Sequence, residues 1–129
     1  MAGGKYEKSD AIYNRISKNN PGADVFRNWA KLKILQNQKT EALAKYKEAV
    51  KLNDDAEIQL EKLNLQIVLN DKDFEIDYLR FIRKADGLFL EQGKILYISW
   101  LTENNKLTQA EEINQSVAES EFEIIRANH

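Results

Sequence analysis

The residues that most often carry chemistry are scarce in this sequence. Its single histidine is His129, the last residue, and it has no cysteine, so the commonest metal ligands, nucleophiles and general bases are missing. Carboxylates are plentiful, yet nothing in the spacing of the 21 Asp and Glu residues sets two of them in a dry pocket, as paired-carboxylate catalysis needs. The densest run, Asp71-Lys72-Asp73-Phe74-Glu75-Ile76-Asp77, has the alternating acidic residues of a calcium loop. It fails as one, because Ile76 stands where the sharp turn requires glycine, and helix capping explains the aspartates better. There is no glycine-rich phosphate loop. The spacing with most chemical content is that of Arg27 and Lys31. Four apart on a helix, they can face a single carboxylate or acidic segment. That is binding chemistry, and neither a catalytic residue nor a metal or cofactor is expected.

The elements that must position these residues are helical nearly throughout. Tyr6, Ser9, Tyr13 and Ile16 have the spacing of one helix face, and Asn19-Asn20-Pro21-Gly22 stops it. A second stretch places Phe26, Trp29 and Ala30 together and runs to Gln36-Asn37-Gln38. A third carries Ala42, Tyr46 and Ala49 and ends near Asn53-Asp54-Asp55, whose aspartates can cap a fourth helix with Leu60, Leu63, Ile67 and Val68. Phe74, Tyr78, Ile82 and Ala85 mark a fifth, closed by Asp86-Gly87. The sixth, from Leu88 to Leu101, is apolar almost all round, which predicts neighbours on several sides. Thr108-Gln109-Ala110-Glu111 is a capping-box pattern opening a seventh.

Composition agrees. Five glycines and one proline are close to 5% of 129 residues, against an average usage of about 12%, which disfavours a turn-rich β fold. No apolar run approaches the roughly 20 residues of a membrane span, and Met1-Ala2-Gly3-Gly4-Lys5 lacks the hydrophobic stretch of a secretory signal. The net charge of −2 offers no global attraction to nucleic acid. It is unevenly spread: residues 1–56 hold 11 basic and 7 acidic groups, a net +4, and residues 57–129 hold 8 and 14, a net −6. An acidic partner for the first part, or head-to-tail association, follows from that polarity.

The helices repeat. Ser9, Tyr13 and Ile16 recur as Ala42, Tyr46 and Ala49 at an offset of thirty-three, and those recur as Ala110, Asn114 and Val117 at sixty-eight; Phe26 and Trp29 recur as Leu60 and Leu63 at thirty-four. A period near 34 with two helices per period resembles the tetratricopeptide repeat. Residues 23–56 carry the resemblance best, with Phe26, Trp29, Ala30, Ala42, Tyr46 and Ala49 at signature places. Small Ala30 and Ala42 let paired helices approach while Phe26, Trp29 and Tyr46 fill the space beside them. Lys33 departs from the pattern, standing where an aromatic is usual, and the middle repeat has Ile76 or Asp77 where a small residue belongs.

The resemblance implies an all-α, right-handed superhelical solenoid of antiparallel helix pairs, with about seven helices in about three repeats. Residues 1–4 would be a disordered leader or expression scar before a single repeat domain, 5–129, of a longer protein. Residues 5–22 would form the second helix of a partial repeat, 23–56 the best repeat, 57–86 a degenerate one and 87–129 a third with a long terminal helix. It further implies a concave groove holding a peptide segment of a partner protein, lined by Arg27, Lys31 and Ile34, then Leu65 and Val68, then Ile95 and Ser99. Relatives that clamp a terminal carboxylate place asparagine where this chain has Lys31, which argues against that particular clamp. The alternative is a self-associating module, a homo-oligomer built through its ends and through Phe122, Ile124 and Ile125 of the last helix.

Overall fold

The computed structural model describes residues 2–104, 112, 114 and 115. They form six helices and, among the described residues, no strand: α1 (Ala2–Asn19), α2 (Ala23–Leu35), α3 (Lys39–Leu52), α4 (Ala56–Val68), α5 (Phe74–Lys84) and α6 (Gly87–Glu103). The fold is all-α, as the spacing predicts. The predicted stops at Pro21-Gly22, Gln36-Asn37-Gln38, Asn53-Asp54-Asp55 and Asp86-Gly87 each fall at a break between helices. Helix α1 starts at Ala2 and takes in residues read from sequence as a leader. The expected seventh helix lies outside the described residues, apart from positions 112, 114 and 115. No helix among the described residues is long and apolar enough to cross a membrane.

The chain divides into two compact units, residues 1–71 and 72–129, so the boundary falls inside the segment 57–86 read as one repeat. In the first unit each helix packs on the next, and α2 with α3 makes the most extensive contact. Its centre is built from small residues: Ala30, Ala42 and Ala49 are fully buried, which brings the α2 and α3 backbones close, and Leu43, Tyr46, Ile58 and Leu65 complete the core with Phe26 and Val50 packed on its edge. Trp29 is buried on the α1 side of α2, stacked between Tyr13 and Phe26 at centroid distances of 6.4 and 6.2 Å.

Helix boundaries in this unit recur at an offset of thirty-three. Helices α2 and α4 are both 13 residues long, starting at Ala23 and Ala56; α1 and α3 end at Asn19 and Leu52. The turns that close α2 and α4 are the same. Asn37 and Asn70 take left-handed backbone conformations, with φ 61° and 53°. Gln38 N donates to Lys33 O at 2.8 Å and Asp71 N to Gln66 O at 2.8 Å; Asn37 N donates to Ile34 O and Asn70 N to Ile67 O. Both are Schellman motifs, which satisfy carbonyls left over at a helix end. The N-termini differ. Asp55 accepts from the backbone N of Glu57 and Ile58, whereas Gly22 provides no side-chain cap.

The second unit rests on aromatic residues. Phe74, Tyr78 and Phe81 form the buried face of α5, so Phe81 rather than the expected Ile82 faces inward with Phe74 and Tyr78. Tyr97 of α6 stacks on Tyr78 at 4.2 Å, and Trp100 lies 5.5 Å from Phe74. Gly93 is the point of closest approach, since a Cβ there would run into the Phe81 ring. The expectation that neighbours cover α6 on several sides is not met among the described residues: Gly93 and Leu101 are its buried positions, while Leu88, Phe89 and Ile95 are exposed. The acidic run at 71–77 serves the helices. Asp71 accepts from Gln66 Nε2, Glu75 accepts from Tyr97 Oη, and Glu75 and Asp77 set their charge at the N-terminus of α5.

Candidate interaction site

Arg27 and Lys31 do share a face of α2, and a carboxylate already lies against it. Arg27 Nε donates to Glu61 Oε1 at 3.2 Å and its Nη2 to Glu61 Oε2, giving a two-point fork across to α4. Glu57, one turn earlier on α4, lies 3.0 Å from the same Nη2. Tyr46 Oη of α3 donates to Glu61 Oε1 at 3.1 Å, and Lys31 Nζ stands 3.9 Å from that oxygen. Hydrogen bonding to Glu61 above all, against the opposing effect of burial, pushes the Arg27 guanidinium still higher, so it is a permanent cation. Burial, followed by the charge of Glu61, raises the Tyr46 phenol. The cluster balances two cations with two anions. Arg27 is largely enclosed, with 19% of its side chain exposed, whereas Lys31 retains 52%. Of the predicted pair, Lys31 is the one that presents its charge outward.

The other predicted groove residues are distributed unevenly. Leu65 is a core residue, packed with Ala30 and Ile58. Ile34 is exposed near the end of α2, and Val68, 56% exposed, ends α4. In the second unit Ile95 and Ser99, four apart, are both exposed on α6. Phe122, Ile124 and Ile125 lie outside the described residues.

The register of the helix boundaries explains why Leu65 is misplaced. Aligning α2 with α4 by apolar residues pairs Trp29 with Leu63. Helix bounds and turns pair Trp29 with Lys62 and Ala30 with Leu63 instead, and all four are buried. The α4 counterparts of Arg27, Lys31 and Leu35 are therefore Leu60, Asn64 and Val68. Leu35, which sequence reading overlooked, is 69% exposed and stands thirty-three residues before Val68, at the same place in its helix.

A second polar cluster also escaped the sequence reading. Asp10 of α1 accepts from Trp29 Nε1 at 2.8 Å and Gln36 Nε2 at 2.7 Å, and Lys33 Nζ lies 3.1 Å from Asp10 Oδ1 and 3.2 Å from Glu41 Oε2 of α3. Lys33, the departure from the aromatic pattern, thus links three helices. Burial opposes its cation, and the two carboxylates together outweigh burial, so its pKa stands above the ordinary lysine value. The sequence held a usable signal: Asp10 and Lys33 stand thirty-three residues before Leu43 and Gln66, both buried, and two charges at interior positions call for each other. Beside this cluster a cleft of about 480 Å³ opens between α1 and the α2–α3 turn, lined by Tyr6, Glu7, Asp10, Leu35 and Asn37. Asp10 is engaged inward by its three partners, so the polar capacity of the cleft is largely spent on the fold.

Comparison with protein-family models, with curated proteins and with solved structures returns no match.

Proposed function

We propose that this chain is a non-catalytic interaction module, similar to a tetratricopeptide array, that holds a segment of a partner protein across α2 and α4. The observation that carries the reading is the Arg27–Glu61 fork. It ties α2 to α4 and leaves Lys31 exposed beside it. Leu35 and Val68, equivalent by the register of the two helices, add exposed apolar side chains at their ends. A segment lying across them meets one outward-facing cation and two apolar contacts, which suits a peptide with an acidic residue flanked by aliphatic or aromatic ones. Arg27 acts here as a strut rather than a ligand, because a partner carboxylate would have to displace Glu57 and Glu61 to reach it.

Selection of a displayed random-peptide library on the full chain tests this. Enriched peptides are expected to share an acidic residue next to apolar ones, and to lose at least about tenfold in affinity against Lys31→Glu and against Val68→Asp, a charge reversal and a buried-contact loss each of order 1.4 kcal/mol or more. Both positions are exposed, and an unchanged helical circular dichroism spectrum checks that the variants fold. Peptides that bind both variants as tightly as the parent overturn the reading.

A further inference from the structure

The register within the first unit shows what an open face of α1 is shaped to receive. Helix α3 is covered on one side by α2 and on the other by α4. Toward α2 it presents Glu41, which pairs with Lys33 at 3.2 Å, Lys45, whose Nζ lies 3.7 Å from the centre of the Trp29 ring, and the fully buried Ala42 and Ala49. One repeat earlier, α1 carries Lys8, Ile12, Ser9 and Ile16 at these places. The opposite side of α1 is engaged as α3 engages α4: Asp10 and Tyr13, counterparts of Leu43 and Tyr46, meet Trp29 of α2. Among the described residues, the side that on α3 is filled by α2 is open on α1: Ile12 is 47% and Ile16 36% exposed, where their counterparts Lys45 and Ala49 are half-buried and fully buried.

We propose that this outer face of α1 receives an amphipathic helix of a partner protein, seated as α2 is seated on α3. The seat specifies its occupant. Glu41 meets a lysine, so Lys8 in the same place meets an acidic residue. Lys45 lies over an aromatic ring, so Ile12 packs on an aromatic or aliphatic one, and Ser9 faces a small residue, as Ala42 shares the buried core with Ala30. A second copy of this chain is the poorer occupant, because Lys8, Ser9, Ile12 and Ile16 include no carboxylate, so a two-fold contact of this face with itself offers Lys8 no acidic partner. The proposal concerns α1 alone and stands whether or not a peptide binds across α2 and α4.

The probe is a peptide of residues 22–36 with Lys33→Glu, held helical by a lactam between Asp24 and a lysine introduced by Asn28→Lys, both exposed positions of α2. A bridge is needed because a helix this short is marginal alone. Titrated into the isotope-labelled full chain, it is expected to shift the amide resonances of Lys8, Ser9, Ile12 and Ile16, and to bind at least about fivefold more tightly than the same peptide retaining Lys33. Lys8→Glu in the protein is expected to reverse that preference, and Ile16→Asp to abolish binding by both peptides while the circular dichroism spectrum stays helical. Shifts confined to α2 and α4, no shifts, or a preference untouched by Lys8→Glu overturn the proposal. So does a sedimenting dimer that Ile16→Asp dissolves, which would assign the face to a second copy.

Discussion

Asn37 and Asn70 stand thirty-three residues apart in the same left-handed conformation, each the first residue beyond the capping position of a 13-residue helix, with matching backbone hydrogen bonds around them. A side chain with a Cβ strains there, and asparagine tolerates the strain better than most because its short amide can bond locally. Asn37→Ala and Asn70→Ala are each expected to cost about 1 kcal/mol, and Asn37→Gly and Asn70→Gly to be neutral or stabilising. Urea unfolding of the full chain checks this. The two sites are expected to respond alike; a site where alanine costs nothing would not hold the left-handed turn.

The breaks between helices were legible because their signals are local. Pro21-Gly22, Asn53-Asp54-Asp55 and Asp86-Gly87 stop or start helices by their own backbone preferences, and Gly87 does take a positive φ of 55°. The register of the first helices was less legible, since apolar matching favours Leu60 and Leu63 opposite Phe26 and Trp29. The fold instead buries Gln59 and Lys62 there, Lys62 to 6% exposure, and no hydropathy pattern nominates a lysine for the interior. The engagement of Arg27 by Glu57 and Glu61 is likewise a tertiary fact: the partners belong to different helices, and only the packing of α2, α3 and α4 brings them together. Leu88, Phe89 and Ile95 are exposed among the described residues, so a helix apolar almost all round is not enclosed by them alone.

Asp10 makes the first unit sensitive to acid. Its burial acts to raise the carboxyl pKa, and the hydrogen bonds from Gln36, Trp29 and Lys33 together outweigh that, leaving it below the ordinary value. A carboxyl with a depressed folded pKa is protonated more readily in the unfolded chain. Its stabilising contribution is therefore complete above about pH 4 and is lost as pH falls through the folded value. Asp10→Asn removes the charge but keeps an acceptor for Trp29. The variant is expected to be less stable at pH 7 by about 1–2 kcal/mol, as for the loss of hydrogen bonds to a charged group, and to lose less than the parent between pH 4 and pH 2. Denaturant midpoints measured across that range decide it, and parallel curves for parent and variant would remove Asp10 from the account.

The tyrosines set the alkaline limit. Burial comes first in raising the phenols of Tyr46, Tyr78 and Tyr97, followed by the influence of Glu61, Glu91 and Glu75 respectively, with Tyr97 donating to Glu75 Oε2 at 2.9 Å. Tyr78 and Tyr97 are pushed up to about 12. An unfolded tyrosine ionises near pH 10, so the unfolded chain releases these protons first. Stability is complete below about pH 10 and declines as pH rises toward 12. Following tyrosinate absorbance, these three of the five tyrosines are expected to stay protonated until the chain unfolds. Glu75→Gln removes one charge and leaves an oxygen to accept from Tyr97. It is expected to lower the titration of Tyr97 alone, because the charge that faces Tyr78 is that of Glu91 and the one that faces Tyr46 is that of Glu61. A variant in which Tyr78 shifts together with Tyr97 would mean that the second unit loosens as a whole, and an unchanged titration would mean that burial alone holds the Tyr97 proton.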